Sequence, residues 1–149
     1  MNGGYELVKQ ELIASQDLSI LVLGRIGTKE TFIDELAHDY RKREEAAAIT
    51  RAAVRLAERG TKWALECQIL KRLKVSNKGL AVYELKVRRK RYRVMTYLHD
   101  DARQTPVLLF SFMGHAGLSG GGIRKETLQK GMNLAYEARA LMNKEEGIS

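Results

Sequence analysis

Three apolar runs near the middle of the chain constrain its fold most. They are AVYELKV, YRVMTYL and PVLLFSF, at residues 81–87, 92–98 and 106–112, and they are rich in Val, Tyr, Leu and Phe. Runs of this composition with breakers between them are typical of β-strands. The loop HDDARQTP, at 99–106, separates the last two runs and contains the only proline. The sequence therefore predicts a three-stranded antiparallel meander.

The region before the meander predicts one more strand and a pair of helices. The run LSILVLGRI, at 18–26, has few polar residues and predicts a buried strand. Thr28 is a candidate N-cap for the helical segment that follows. A break around Asp39–Arg43 and a stop at Gly60 divide that segment into two helices. Apolar residues recur at helical spacing in both, at Phe32, Leu36 and Tyr40 and at Ala48, Ala52 and Leu56.

The remaining segments complete an α+β domain. Residues 5–14 predict a short helix, whereas residues 62–73 are compatible with either helix or extended chain. A final helix is predicted from about Ile123 to Met142, with one apolar face formed by Leu128, Leu134, Ala135, Ala138 and Leu141. The expected fold is an antiparallel sheet, made of the N-terminal strand and the meander, with the helix pair and the C-terminal helix packed on one face. The length predicts a single domain, 1–149, with residues 1–17 as an N-terminal extension and 18–142 as the core.

Composition indicates the class of partner. The net charge is +8 and the sequence pI is about 9.7, which favours polyanionic partners such as nucleic acid or an acidic protein. Cys67 is the only cysteine, and the histidines His38, His99 and His115 are far apart, so we expect neither a disulfide nor a metal or other cofactor. Cys67 is predicted to be a small buried hydrophobe, His38 a helix-surface residue and His99 a loop residue. With no signal peptide or membrane-spanning run, the expected location is the cytoplasm.

The positive charge concentrates on one predicted hairpin. Between Lys86 and Arg93, six of eight residues are cationic. With a turn centred on Arg89–Lys90, Leu85 faces Val94 and Val87 faces Tyr92 on the core side of the sheet. On the opposite face, Lys86 then lies across from Arg93 and Val82 across from Tyr97. Like charges directly opposite each other destabilise a strand pair, so this arrangement indicates a function outside folding.

Two interpretations of these cations stay open. The turn residues Arg88, Arg89, Lys90 and Arg91 are either solvated surface or RNA-binding residues. For Lys86 and Arg93, which lie inside strands, the functional interpretation is stronger. Cations on a sheet face neutralise phosphates, and a neighbouring aromatic ring can stack on a base.

The same residues resemble a known family. Four short segments occur in order: Tyr83-Glu84-Leu85-Lys86-Val87, Tyr92-Arg93-Val94, an apolar strand ending Phe110-Ser111-Phe112, and Arg124-Lys125-Glu126 at the start of a helix. This series is similar to the RelE/ParE superfamily of type II toxins, in its HigB-like, phage-associated branch. The likeness covers roughly residues 18–142. The chain departs from the family pattern at two places. Lys86 stands where the family usually has Arg, and Gly114-His115 stands where it usually has Lys-Lys.

The resemblance implies a toxin that is a metal-independent endoribonuclease acting on mRNA, usually in the ribosomal A site. Cleavage would proceed by attack of the ribose 2′-OH on the adjacent phosphate, with Arg93 and Lys86 stabilising charge. His115 would be the acid or base, because an unperturbed histidine has a pKa of about 6.5. Tyr97 would stack on a base or assist proton transfer, and Arg124 and Lys125 would bind RNA. The implied partners are mRNA, the ribosome and an acidic, partly disordered antitoxin.

Two alternatives come from other functional classes. One is a non-catalytic, ParE-like toxin that binds DNA gyrase through the same scaffold. The other is a phage-derived module that binds RNA or an acidic protein and has no nuclease activity. The glycine-rich segment 114–122 lacks the Gly-Lys-Ser/Thr ending of a nucleotide-binding loop and is interpreted as a connector.

Overall fold

A computed structural model describes residues 4–10, 18–73, 79–87, 91–114 and 123–147. Along the chain, the elements are β1 (Tyr5–Lys9), β2 (Leu21–Arg25), α1 (Phe32–His38), a 3₁₀ turn (Tyr40–Lys42), α2 (Arg43–Arg59), α3 (Thr61–Glu66), β3 (Leu70–Arg72), β4 (Tyr83–Lys86), β5 (Tyr92–Leu98), β6 (Pro106–Met113) and α4 (Lys125–Glu145). The glycine-rich residues 115–122 lie outside the described part of the chain.

The strands form one six-stranded sheet in the order β1-β2-β6-β5-β4-β3. The predicted meander is confirmed, because β4 pairs with β5 and β5 with β6 in antiparallel order. The sheet is mostly antiparallel, and the exception is the pair β2–β6, which is parallel. Parallel strands can pair only if a long connection joins them. Here the connection from β2 to β6 contains the helices α1–α3 and the strands β3–β5, so it is long enough.

Helices cover both faces of the sheet, so the prediction of helices on a single face is wrong. On one face, α1, α2 and α3 bury a core that includes Ile20, Val22, Ile49, Leu56, Leu70, Leu85, Val94 and Leu108. On the other face, α4 packs over Val82, Met95, Tyr97, Val107, Leu109 and Phe110. A sheet buried on both faces requires strands with apolar residues at successive positions. β6 meets this requirement, because Pro106–Phe110 are all buried.

The helix pair is separated where the sequence predicts it. Thr31, rather than Thr28, caps α1, because its hydroxyl accepts from the Asp34 main-chain N–H while the Asp34 carboxylate accepts from the Thr31 N–H. Thr28 lies in the preceding turn, where its hydroxyl accepts from the Glu30 N–H over 3.2 Å. Asp39 ends α1 and caps the 3₁₀ turn. Gly60 ends α2 with φ of +94°, a value that glycine adopts without steric cost.

Two segments differ from their predictions. Residues 5–9 form a strand, not a helix, and β1 pairs antiparallel with β2 along its whole length. Because of this pairing, part of the expected N-terminal extension belongs to the sheet. The ambiguous segment 62–73 divides into helix α3 and strand β3. None of the helices in the described ranges is long and apolar enough to cross a bilayer.

Helix α4 runs alongside β5, and two contacts establish its direction. Gly131 lies so close to Met95 that a Cβ atom there would be 2.8 Å from the Met95 sulfur. Near the other end of the helix, Glu146 contacts His99 just beyond β5. The N-terminus of α4 therefore points toward the Arg93 end of β5, and its C-terminus toward the Leu98 end.

Candidate nucleic-acid interface

The predicted register of the basic hairpin is confirmed. Lys86 pairs with Arg93 and Leu85 with Val94, and the Val87 N–H donates to the Tyr92 carbonyl over 3.2 Å. Leu85 and Val94 are fully buried under α2. Because strand side chains alternate, Lys86 and Arg93 project to the α4 side of the sheet, with β-carbons about 5 Å apart. No carboxylate partners Lys86 within the described part of the chain.

Glu84 joins this pair of cations, and the sequence interpretation missed it. The Glu84 carboxylate lies 3.8 Å from Arg93 Nε, and the two side chains are only 14% and 23% exposed. The Arg93 guanidinium also donates to the Tyr92 carbonyl over 2.9 Å. The signal was available, because Glu84 stands two positions before Lys86 and so lies on the same face of β4. We call Glu84, Lys86 and Arg93 the hairpin cluster.

The end of β6 lies against the hairpin cluster. The Gly114 N–H donates to the Arg91 carbonyl over 2.6 Å. A Cβ atom at Gly114 would lie 3.3 Å from Arg93 Cγ, so a larger residue there would press on the arginine side chain. His115 follows Gly114 in the sequence and lies outside the described residues, as do the predicted RNA-binding residues Arg88, Arg89 and Lys90.

The other predicted RNA-binding residues are exposed cations. Arg91 lies beside the hairpin cluster at the start of β5. Arg124 and Lys125 lie at the N-terminus of α4. That terminus points toward the Arg93 end of β5, as the contact between Gly131 and Met95 shows. All three cations therefore belong to the same end of the sheet.

Tyr97 is placed away from the hairpin cluster. It is 3% exposed and packs beneath α4, four residues along β5 from Arg93, a Cα separation of about 13 Å. A ring buried to this extent has no face on which a base can stack. Burial raises the pKa of the Tyr97 hydroxyl to about 12, with smaller contributions from Arg139, which lowers it, and from nearby carboxylates, which raise it. The roles expected for Tyr97 in stacking and proton transfer do not fit this position.

Tyr97 belongs instead to a buried chain of hydrogen bonds that ties the end of α4 to the sheet. Its hydroxyl lies 2.9 Å from His99 Nδ1, and His99 Nε2 lies 2.8 Å from a Glu146 carboxylate oxygen. His99 lies in the loop after β5, as predicted, but it is only 4% exposed. A neutral imidazole satisfies both contacts by accepting from Tyr97 and donating to Glu146.

The loop after His99 is held by a second set of hydrogen bonds. The Asp101 carboxylate accepts from the Thr105 N–H at 3.0 Å and from its hydroxyl at 2.7 Å. Burial opposes ionisation of Asp101, but the bonds from Thr105 outweigh it and lower the pKa of this carboxyl. Of the other predicted positions, His38 is exposed on α1 as expected, whereas Cys67 is exposed rather than buried.

No family model, curated protein or solved structure matches the chain. The functional assignment therefore depends on the hairpin cluster and its surroundings.

Proposed function

We propose that this protein is the toxin of a type II toxin–antitoxin pair and that it cleaves mRNA on the ribosome. The observation that carries the proposal is the direct pairing of Lys86 with Arg93 on adjacent strands. Two cations directly opposite each other weaken a strand pair, whereas both can neutralise the charge of a bound phosphodiester. The helices α1 and α2 ahead of the meander and the helix α4 after it follow the order that the family resemblance implies, which supports the proposal.

The hairpin cluster has groups suited to attack by a ribose 2′-OH. Glu84 accepts the 2′-OH proton, and the 2′-oxygen forms a bond to the adjacent phosphorus. Arg93 and Lys86 stabilise the added negative charge on the phosphate oxygens. The bond from phosphorus to the 5′-oxygen breaks, and His115 donates the proton that the leaving oxygen requires. The products are a 2′,3′-cyclic phosphate and a free 5′-hydroxyl.

The proposed partners follow from the charge. Arg91, Arg124 and Lys125 are exposed at the same end of the sheet as the hairpin cluster, and we propose that they bind the RNA backbone. We propose that the protein acts in the cytoplasm. There, an acidic and partly disordered antitoxin covers this cationic surface. The net charge of +8 favours rapid association with such a partner.

An RNA-binding module without nuclease activity is the second candidate. The observation that favours it is the ion pair between Arg93 and Glu84, which occupies the cation that the reaction needs. Mapping of mRNA 5′ ends after incubation with translating ribosomes separates the two functions. New, discrete 5′ ends support the nuclease, and their absence supports the module. A gyrase supercoiling assay then tests the ParE-like alternative.

The same mapping experiment tests His115. We expect His115→Gln to lower the cleavage rate about 100-fold while leaving RNA affinity unchanged, because glutamine cannot donate a proton at neutral pH. The wild-type rate should change slope near pH 6–7, where histidine ordinarily titrates. A variant that cleaves at the wild-type rate, with the same pH profile, would remove His115 from the mechanism.

Arg93→Ala tests the phosphate contact. We expect weaker binding of a single-stranded RNA oligonucleotide, and a log–log slope of affinity against salt concentration that is shallower by about 1. The matched control is Arg25→Ala. Arg25 also pairs with a glutamate, Glu35, but that pair is 70% and 46% exposed and belongs to β2 and α1. Equal effects of the two variants on RNA binding would show that only net charge matters.

A further inference from the structure

A groove lies on the face of the sheet opposite Glu84 and Arg93, and Lys86 of the hairpin cluster lies at its end. The groove is bounded by α2, α3 and the ends of β3 and β4, and its volume is about 690 Å³. Its floor is apolar and is formed by Ala48, Ala52, Leu56, Trp63, Ile69 and Val87. Ala52, Trp63 and Ile69 are only partly buried. The small alanine side chains of α2 leave the space that the groove occupies.

Two arginines line the rim of this groove on α2. Arg51 and Arg55 are exposed and stand four residues apart, so they lie one above the other on the helix surface. Like charges at this spacing destabilise a helix. Neither arginine has a carboxylate partner in the described ranges. The next residue in the series, Arg59, stacks on the Trp63 ring at 5.3 Å.

We propose that the groove binds an acidic amphipathic peptide segment of a partner protein. Aliphatic side chains of the segment occupy the apolar floor, and its carboxylates pair with Arg51 and Arg55. Charge complementarity argues against a second copy of this chain, because the copy would also carry a charge of +8. The apolar floor, on which Arg59 stacks over the Trp63 ring, argues against RNA, because a phosphodiester buried there would lack hydrogen-bond partners.

This binding surface goes beyond the proposed function. Arg93 and Glu84 lie on the α4 side of the sheet, whereas the groove lies on the α2 side. Lys86 lies at the end of the groove, where β4 extends past β3. A peptide in the groove leaves Arg93 uncovered, so peptide binding can be measured separately from the contribution of Arg93 to RNA binding.

Trp63 provides the measurement, because it is the only tryptophan in the chain. The probe is a synthetic amphipathic helix with leucines along one face and glutamates flanking them. We expect a saturable shift of tryptophan emission on titration with this peptide. Arg55→Glu should weaken binding about 10-fold or more, because it places a carboxylate opposite the glutamates. Ala52→Phe, which fills the groove without changing the charge, should abolish the shift.

The controls separate a groove from general charge attraction. Lys42→Glu makes the same change in charge at an exposed position on the 3₁₀ turn, outside the groove, and should leave the affinity unchanged. A lysine-flanked version of the peptide should not bind. Equal weakening by Lys42→Glu and Arg55→Glu, or wild-type affinity in Ala52→Phe, would overturn the proposal. Displacement of the peptide by a single-stranded RNA oligonucleotide in the Arg93→Ala background would identify the groove as an RNA site and also overturn it.

Discussion

Replacing Glu84 with glutamine should lower the rate of mRNA cleavage about 100-fold and at the same time strengthen RNA binding. The rate falls because the amide cannot accept the 2′-OH proton. Affinity rises because the substitution removes a negative charge beside the phosphate site and releases Arg93 from its ion pair. The measurements are single-turnover cleavage on ribosomes and equilibrium binding of an RNA oligonucleotide to the same variant.

The opposite directions of the two effects distinguish catalysis from structure. A purely structural role for Glu84 would reduce both activity and affinity. Glu35→Gln is the matched control, because Glu35 also pairs with an arginine but lies on α1. It should leave the cleavage rate unchanged. If Glu84→Gln cleaves as fast as the wild type, another group accepts the proton, and Glu84 only positions Arg93.

Replacing His99 with leucine should lower the free energy of unfolding by about 2–3 kcal/mol. The substitution leaves the buried Tyr97 hydroxyl without its partner and removes the link to Glu146. Chemical denaturation measures the loss. Hydrogen exchange should show that the last turn of α4 is the first part of the helix to become unprotected.

Two control variants test the physical cause. His38→Leu makes the same substitution at an exposed position of α1 and should change stability by less than about 0.5 kcal/mol. Glu146→Gln retains an oxygen that accepts from His99, so its effect should be smaller than that of His99→Leu. Equal losses from His99→Leu and His38→Leu would show that the buried chain of hydrogen bonds contributes nothing to stability.

Local patterns predicted the part of the molecule on which the proposed function depends. Apolar and polar side chains alternate along β4 and β5, and this alternation can be read from neighbouring residues. Once the two segments were recognised as a hairpin, the alternation set the register that pairs Lys86 with Arg93. The same alternation places Glu84 beside them, and the spacing of Arg51 and Arg55 is also visible in the sequence. The helix break and the Gly60 stop are local as well, because capping depends on a few adjacent residues.

The sequence by itself determined an α+β chain with a cationic hairpin, because strand and helix periods and like charges in register are local features. Only the tertiary structure decided which face of the sheet each helix covers. Both faces of the sheet are apolar, so the apolar face of a helix could pack against either of them. The tertiary structure also placed Tyr97 beneath α4 and joined it through His99 to Glu146, which lies 47 positions after His99 in the chain. A contact over that separation leaves no periodic signal, since it depends on where α4 ends after packing.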